Sequence, residues 1–272
     1  MTHAAPSPLA GRTVLITRAS DQAATTAAAF SALGAHPVEI PTLVVAPPED
    51  AAPLARAARS LARYDVVALT SGNGVEALFG ALAAAALDAR ALEGAVVAAI
   101  GPSTARALAG RGARVDVVAE EHRGEGLAAA ILEALRARGR TEGARVLLAR
   151  AAIARDALPS ALRAAGVEVD DVAAYRTTKP EGAQVVAMRD ALVAAALEGP
   201  ARSIALFTAS STVDNLCALV DDARGLLEAL TVATLGPLTS ASCRAHGVRV
   251  DVEARPYTID ALIAALEAHF SR

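Results

Sequence analysis

The chain contains one stretch of sequence twice. Residues 100–120 read IGPSTARALAGRGARVDVVAE and residues 235–255 read LGPLTSASCRAHGVRVDVEAR, with about nine of twenty-one aligned positions identical. Two further pairs flank it, RTVLITR with ARVLLAR and YDVVALTSGNGVEALF with RSIALFTASSTVDNLC. A repeat of about 135 residues is the size of a whole domain. The 272-residue chain is therefore predicted to contain two similar domains.

Each copy alternates short apolar runs with segments of helical spacing. RTVLIT, at 12–17, is followed by an alanine-rich segment, by Gly34 and by a second apolar run, HPVEI. This alternation favours parallel strands covered by helices on both faces. The predicted fold class is α/β, with two similar doubly wound parallel-sheet domains of flavodoxin-like type. The repeat alone would place the boundary between the domains near residue 140.

Composition argues against several classes of protein. Cys217 and Cys243 are the only cysteines, too few for a disulfide scaffold, and the five histidines lack metal-ligand spacing. A net charge of −3 offers no positive field for nucleic acid. The chain has no GxGxxG after a strand, no GxxxxGK[ST] and no GxSxG motif. We expect no metal, no nucleotide cofactor and no nucleic-acid partner.

Hydropathy and the N-terminal sequence predict the location of the protein. No run reaches the ~18 uninterrupted apolar residues of a membrane span, so we expect no membrane partner. MTHAAPSPLAGR does not read as an export signal, so we expect a cytoplasmic protein. Residues 1–11 are rich in small residues and proline, and we expect this segment not to be ordered.

Small polar residues and arginines follow the predicted strands in both copies. In an open α/β sheet, ligands bind beyond the carboxyl ends of the strands, where free N–H groups at helix starts attract anions. Ser and Thr also cap helices and Pro begins them, which is the competing interpretation. Repetition in register favours two anion-binding surfaces. The candidate residues are Arg18, Thr70, Ser71, Gly101, Ser103, Thr104, Arg150, Thr208, Ser210, Ser211, Gly236 and Thr239.

Tyr175 stands apart because it is one of only three tyrosines and lies in VAAYRTTK, at the end of a predicted strand-helix-strand unit. From the residues alone, a packed aromatic at a domain junction competes with a functional role.

Taken in order, these motifs resemble those of the uroporphyrinogen-III synthase family from about residue 11 to 267. The matching pieces are VLITR, ALTSGNGVEAL, AAIGPSTARAL, ARVLLAR, ARDALPSALRAAGVEVDDVAAYRT, ALFTASSTVDNL and ATLGPLTSAS. The resemblance implies that the chain crosses between domains twice, through a two-stranded connector at 36–43 and 167–177. One domain would then be 1–39 plus 176–272, and the other 42–172.

The resemblance also implies a reaction. The substrate would be hydroxymethylbilane, a linear tetrapyrrole with eight carboxylates, cyclised with loss of water and inversion of ring D. An azafulvenium cation and a spiro-pyrrolenine would be the intermediates, and no cofactor would take part. The enzyme would act as a monomer, with hydroxymethylbilane synthase as one source that could hand over the substrate.

Site residues follow from the same resemblance. Tyr175 matches a tyrosine of the family's cleft and would donate a hydrogen bond to the leaving hydroxyl, while Arg155 keeps its expected place among the substrate-binding residues. One departure concerns the glycine that often follows the strand-end arginine. Here Arg150 is followed by Ala151 and Ala152, so we expect the backbone to approach the ligand less closely there.

Two alternatives stay open at this point. A non-catalytic two-lobed binding or sensor protein for a polyanion would share the architecture, although the YRT and GPxT motifs weigh against it. An enzyme of the same fold that acts on another polyanion would share both architecture and motifs.

Overall fold

The computed structural model describes residues 7–18 and 20–271. It divides into two compact units. Met1–Val44 with Thr178–Arg272 form the terminal unit, and Val45–Thr177 form the central unit. These divisions fall a few residues beyond the boundaries proposed from the sequence.

Strands and helices alternate along the chain. The strands are β1 (Thr13–Ile16), β2 (His36–Glu39), β3 (Val44–Ala46), β4 (Val66–Leu69), β5 (Val96–Ala99), β6 (Val117–Val118), β7 (Arg145–Ala151), β8 (Glu168–Thr178), β9 (Ser203–Phe207), β10 (Thr231–Thr234) and β11 (Val252–Glu253). The α-helices are α1 (Ser20–Ala32), α2 (Ala52–Arg59), α3 (Gly72–Ala84), α4 (Pro102–Gly110), α5 (Gly124–Ala137), α6 (Ala157–Ala164), α7 (Ala183–Glu198), α8 (Ser210–Leu219), α9 (Ala223–Glu228), α10 (Pro237–Ala245) and α11 (Ile259–Phe270). Short 3₁₀ turns lie at Leu61–Arg63 and Ala89–Leu92.

The two sheets have the same spatial arrangement of five strands. In the terminal unit the strand order is β11-β10-β9-β1-β2, and in the central unit it is β6-β5-β4-β7-β8 with β3 added beside β8. Apart from the β3 edge, neighbouring strands are parallel. Counted from β1, the terminal sheet reads 2-1-3-4-5, the flavodoxin-like arrangement. The central sheet has the same order in circularly permuted form, because β4, β5 and β6 precede β7 and β8 in the chain. The predicted fold class is confirmed, and the duplicated sequence corresponds to a duplicated sheet.

The segments proposed as connectors are strands of these sheets. β2 pairs with β1 from His36 to Glu39, and β8 pairs with β7 from Glu168 to Tyr175. Backbone pairing makes Glu168–Tyr175 part of the central sheet, and the division between the two units falls at Thr177 and Thr178, at the end of the segment proposed as a connector.

Each sheet is covered by apolar side chains on both faces. In β4, Val67 and Leu69 join one cluster while Val66 and Ala68 join another, because successive side chains of a strand point to opposite faces. Burial on both sides accounts for continuous apolar runs such as VVAL. The carboxyl ends of these strands therefore leave the core together, at one edge of each sheet.

The start of the described chain is packed. Leu9 is fully buried, and the Ser7 hydroxyl donates to a Glu267 carboxylate oxygen over 2.7 Å. The expectation that residues 1–11 lack order is wrong for 7–11, because Leu9 fills the core of the terminal unit. Residues 1–6 lie outside the described residues.

Within the described residues, no helix combines the length and hydropathy needed to cross a membrane. Nor do three or more His, Cys, Asp or Glu side chains of that part of the chain come together in a group that could hold a metal ion.

Candidate functional site

Ser71 and Tyr175 form a hydrogen-bonded pair at the carboxyl edge of the central sheet. Ser71 caps α3, accepting a hydrogen bond from the Gly74 N–H over 3.1 Å. Its own hydroxyl donates to the Tyr175 hydroxyl oxygen over 3.0 Å. Because Tyr175 accepts from Ser71, its own O–H proton is available to a further acceptor.

A β-bulge places Tyr175 at this position. β7 and β8 pair regularly until Arg150 meets Ala173, after which Ala151 meets Tyr175. The extra residue, Ala174, reverses the alternation, so that Tyr175 packs on the same apolar cluster as Ala174. Bulges commonly re-aim a side chain in this way. In regular pairing Tyr175 would instead lie on the face of Arg150.

A glycine lets the first turn of α3 approach the sheet. A Cβ added at Gly74 would lie 2.9 Å from the Ala149 carbonyl oxygen of β7. Only glycine fits without displacement of the helix or the strand. The close contact therefore holds Ser71 within reach of Tyr175.

The two GPxT motifs begin helices that have no side-chain cap. Gly101 and Gly236 are the N-cap residues of α4 and α10, and glycine has no side chain that could accept a hydrogen bond from the first-turn N–H groups. The capping interpretation therefore holds for Ser71 but not for the GPxT helices. The N–H groups of these first turns are left to a ligand or to water.

The side chains of the GPxT motifs differ in exposure. Ser103 is exposed, whereas Thr104 and Thr239 are 2% and 5% exposed. Thr104 and Thr239 stay candidate contacts. Because their side chains are largely buried, we expect the backbone to make most of any contribution of these positions to binding.

An aromatic ring lies against the N-cap glycine of both GPxT helices. A Cβ added at Gly101 would lie 3.2 Å from Cγ and Nδ1 of His122, and one added at Gly236 would lie 3.2 Å from Cδ1 of Tyr257. His122 and Tyr257 occupy equivalent positions in the two copies of the repeat. Sequence reasoning missed both rings, although extending the alignment of the two copies by two residues would have paired them.

Arg150 donates hydrogen bonds within the protein from all three guanidinium nitrogens. Its Nε and one terminal nitrogen donate to the Asp171 carboxylate over 2.8 and 2.5 Å, and the other nitrogen donates to the Arg155 carbonyl oxygen over 2.5 Å. Hydrogen bonding to Asp171 is the main cause of a raised pKa for Arg150, although burial opposes it. Arg150 stays a predicted carboxylate contact, and its hydrogen bonds also tie it to Asp171 and to the loop that carries Arg155.

The other two candidate arginines, Arg18 and Arg155, are available to bind a ligand. The side chain of Arg155 is exposed, in the loop after β7. Arg18 is the counterpart of Arg150 in the terminal unit, and within residues 7–18 and 20–271 it makes no ion pair. Thr70 is half-buried at the end of β4, beside Ser71.

In the terminal unit, three of the six predicted site residues line one pocket. Thr208, Gly236 and Thr239 line a depression of about 210 Å³ with Leu235, Pro237, Leu238 and Tyr257. The Ser210 hydroxyl donates to the Leu238 carbonyl oxygen over 3.1 Å, which ties the start of α8 to α10. Ser211 is exposed and is not among the residues lining this pocket.

Comparison with known proteins identifies the family of this chain. A family model described as uroporphyrinogen-III synthase HemD matches residues 24–264. The chain is 34% identical to a uroporphyrinogen-III synthase of Synechococcus elongatus, over 97% of each chain. The chain belongs to the uroporphyrinogen-III synthase family. The resemblance seen in the ordered motifs is confirmed, and the family is one of enzymes of porphyrin biosynthesis.

Other relatives of the uroporphyrinogen-III synthase family agree. A putative uroporphyrinogen-III synthase of Methanothermobacter thermautotrophicus is 32% identical, covering 92% of this chain and 96% of its own length. Among solved structures, a mutant uroporphyrinogen III synthase from Thermus thermophilus is 21% identical with a TM-score of 0.50, covering 96% of this chain and 99% of that chain. The uroporphyrinogen-III synthetase of Helicobacter pylori is 15% identical with a TM-score of 0.52, and the match covers 94% of this chain and 98% of that chain. These structures support the fold.

Proposed function

We propose that this protein converts hydroxymethylbilane into uroporphyrinogen III, closing the tetrapyrrole ring with loss of water and inversion of ring D. The observation that carries the proposal is the Ser71–Tyr175 pair, which presents a hydroxyl donor at the ligand-binding edge of the central sheet. Family membership supplies the substrate, and the geometry supplies a group suited to the first step.

In that step the C–O bond of the terminal hydroxymethyl group breaks. The departing oxygen gains negative charge as the azafulvenium cation forms. Donation from the Tyr175 O–H would stabilise this oxygen, and the hydrogen bond from Ser71 to the Tyr175 oxygen would strengthen that donation, because chained hydrogen bonds polarise one another. The hydroxide leaves as water once it has gained a proton.

The later steps rearrange carbon–carbon bonds. The substituted carbon of ring D attacks the cation to form the spiro-pyrrolenine, which fragments and recloses with ring D inverted. Loss of a proton restores the pyrrole. These steps need orientation more than acid–base groups, since correct placement of reacting atoms alone removes a large part of such a barrier.

The carboxylates of the bilane would be held by local donors. The net charge of −3 provides no long-range attraction. The uncapped N–H groups of α4 and α10 and the arginines Arg18 and Arg155 are the candidates. Backbone donors of this kind bind anions without lysine.

The test is the identity of the product. The protein is mixed with freshly made hydroxymethylbilane, the products are oxidised, and uroporphyrins I and III are separated by chromatography. Isomer III in excess, in proportion to the protein added, supports the proposal. Isomer I alone, formed at the rate seen without protein, overturns it and favours a non-catalytic binding protein. A shift in melting temperature with a different polyanion would then identify its ligand class.

Three further points belong to the proposal. We expect the enzyme to act as a monomer, in the cytoplasm, and to receive hydroxymethylbilane from hydroxymethylbilane synthase. Sedimentation of the purified protein tests the first point, cell fractionation the second. The third point is tested by isomer analysis with hydroxymethylbilane synthase as the only source of substrate. An inactive variant of the present protein is then added, to compete for substrate that hydroxymethylbilane synthase transfers directly.

A further inference from the structure

The two copies of the repeat share a backbone cradle but present different side chains. In each, a GPxT helix begins at a glycine against which an aromatic ring is packed. In the central unit the exposed side chains at this cradle are Ser103 and His122. In the terminal unit the equivalent positions are Leu238 and Tyr257. One cradle is therefore polar and its counterpart is apolar.

Leu238 and Tyr257 are exposed to an extent unusual for their types. Leu238 is 81% exposed and Tyr257 is 59% exposed. Both line the depression of about 210 Å³ that also contains Thr208 and Gly236. Large apolar side chains that surround a concave surface commonly mark a binding site, whereas scattered single ones do not.

The ring of Tyr257 is supported on one side. Its Cδ1 and Cγ would lie 3.2 and 3.3 Å from a Cβ added at Gly236, so the ring rests directly on the helix start. Support of this kind fixes the ring while much of it stays open to solvent. A fixed, open aromatic ring is suited to stack on a flat ligand, since little rotamer freedom is lost on binding.

The size of the depression limits what it can hold. Sites that enclose a drug-sized ligand span ~300–1,000 Å³, so a volume of about 210 Å³ cannot enclose a tetrapyrrole. It suits a single five-membered aromatic ring with its substituents. Pyrrole is flat and electron-rich, with a hydrophobic face, and matches a tyrosine ring beside a leucine.

We propose that Tyr257 and Leu238 form a subsite that holds one pyrrole ring of the tetrapyrrole by its face. The inference rests on the proposed function for the identity of the ligand. The polar cradle of the central unit cannot hold a ring in the same way, because Ser103 replaces Leu238 and the smaller His122 replaces Tyr257. The subsite therefore fixes one ring of the chain, and a fixed ring favours ordered closure with inversion over spontaneous closure.

Binding is measured first, with oxidised uroporphyrin III as the probe, by isothermal titration calorimetry. Tyr257→Ala should weaken binding about tenfold, and Tyr257→Phe should stay within about twofold of the wild type, because the ring rather than the hydroxyl makes the contact. Leu238→Ala should weaken binding about threefold. Leu197→Ala is the matched control, because Leu197 is 86% exposed on α7, whose last turn leads to the amino end of β9.

Turnover is measured second. With hydroxymethylbilane, Tyr257→Ala should raise KM about tenfold and lower the share of isomer III, while Leu197→Ala should change neither. Unchanged binding and unchanged isomer ratio in Tyr257→Ala would overturn the subsite, as would failure of the wild type to bind uroporphyrin III. If Tyr257→Ala lowers the melting temperature, Tyr257→Leu is measured instead, because leucine keeps apolar bulk at this position. Wild-type protein that binds uroporphyrin III but forms no isomer III would overturn only the proposed reaction.

Discussion

The hydroxyl of Ser71 donates to the hydroxyl oxygen of Tyr175 while it accepts from the Gly74 N–H, at distances of 3.0 and 3.1 Å. Tyr175 is therefore oriented by a serine that is itself fixed as a helix cap. Tyr175→Phe should lower kcat by about 10- to 100-fold, because a hydrogen bond to a developing charge contributes ~1.5–3 kcal/mol. Steady-state kinetics with isomer analysis measure this.

Ser71→Ala separates orientation from donation. It leaves the Tyr175 hydroxyl in place, so kcat should fall less than in Tyr175→Phe, while loss of the cap should lower the free energy of unfolding by ~1 kcal/mol. Full kcat and normal isomer fidelity in Tyr175→Phe would remove the tyrosine from the mechanism.

Two glycines of α3 should respond in opposite directions to alanine. A Cβ at Gly74 would lie 2.9 Å from the Ala149 carbonyl oxygen, whereas a Cβ at Gly80 meets nothing within 4 Å. Gly74→Ala should lower the free energy of unfolding by ~1–3 kcal/mol, through overpacking, and lower kcat by moving Ser71. Gly80→Ala should raise the free energy of unfolding by ~0.5–1 kcal/mol, because glycine in the interior of a helix is destabilising relative to alanine. Urea unfolding checks both, and equal effects would refute the close contact.

The sequence predicts the fold of this molecule better than it predicts the arrangement of the candidate site. The repeat and the alternation of strands and helices are properties of long segments, so they survive substitutions at single positions, and both sheets follow from them. The position of Tyr175 depends on one extra residue, Ala174, in the pairing of β7 with β8. Nothing in the alternation of DDVAAYRT marks that bulge, because alanine is compatible with either face.

Arg150 shows a second limit of prediction from the sequence. From its place at the end of an apolar strand it is a reasonable anion contact, as Arg18 is. Its partner Asp171 lies on the neighbouring strand, and the pair exists because the register of β7 and β8 brings the two side chains together. Such register is a tertiary property that local sequence does not show.

A negative charge at the start of α4 should weaken substrate binding without weakening the fold. Ser103 is exposed in the first turn of α4, whose start has no side-chain cap. Ser103→Asp should raise KM for the polyanionic substrate about tenfold, an effect that salt reduces. The same aspartate should leave the melting temperature unchanged or slightly higher, because a carboxylate at a helix N-terminus is favourable.

Ser103→Ala is the neutral control for this change. It should keep KM within about twofold, since the binding groups are backbone N–H donors. If Ser103→Ala raised KM as much as Ser103→Asp, the serine hydroxyl itself would be the contact.

The two thiols should differ in reactivity. Burial is the main cause that raises the pKa of Cys243 to about 12, and its side chain is fully buried. Because the thiolate is the reactive form, native Cys217→Ser should not react with a thiol reagent at pH 8 but should react after unfolding. A raised folded pKa stabilises the protein fully below pH ~8.5, and this contribution should be lost as pH rises from there to about 12. Rapid reaction of native Cys217→Ser would contradict this packing.

A histidine replaces an arginine at one equivalent position of the repeat. Arg111 joins α4 to α3 through Glu76, with Nε 3.0 Å from Oε1. In the terminal unit, His246 Nε2 lies 3.0 Å from Asp214 Oδ1, which joins α10 to α8. Hydrogen bonds from Ser242 and then from His246 lower the pKa of Asp214. The stabilisation by ionised Asp214 is fully present above pH ~3.9 and is lost as the pH falls through the lowered pKa of Asp214.

The two helix-joining pairs, Arg111–Glu76 and His246–Asp214, differ in the cation that each uses. Arginine keeps its charge and matches the geometry of a carboxylate with a planar fork of donors, so His246→Arg should raise the free energy of unfolding at pH 8 by ~0.2–1 kcal/mol, the range of an exposed ion pair. Arg111→His is the reciprocal control and should lower the free energy of unfolding. Urea unfolding at pH 8 measures both effects, and no gain in His246→Arg would show that the guanidinium adds nothing to this pair.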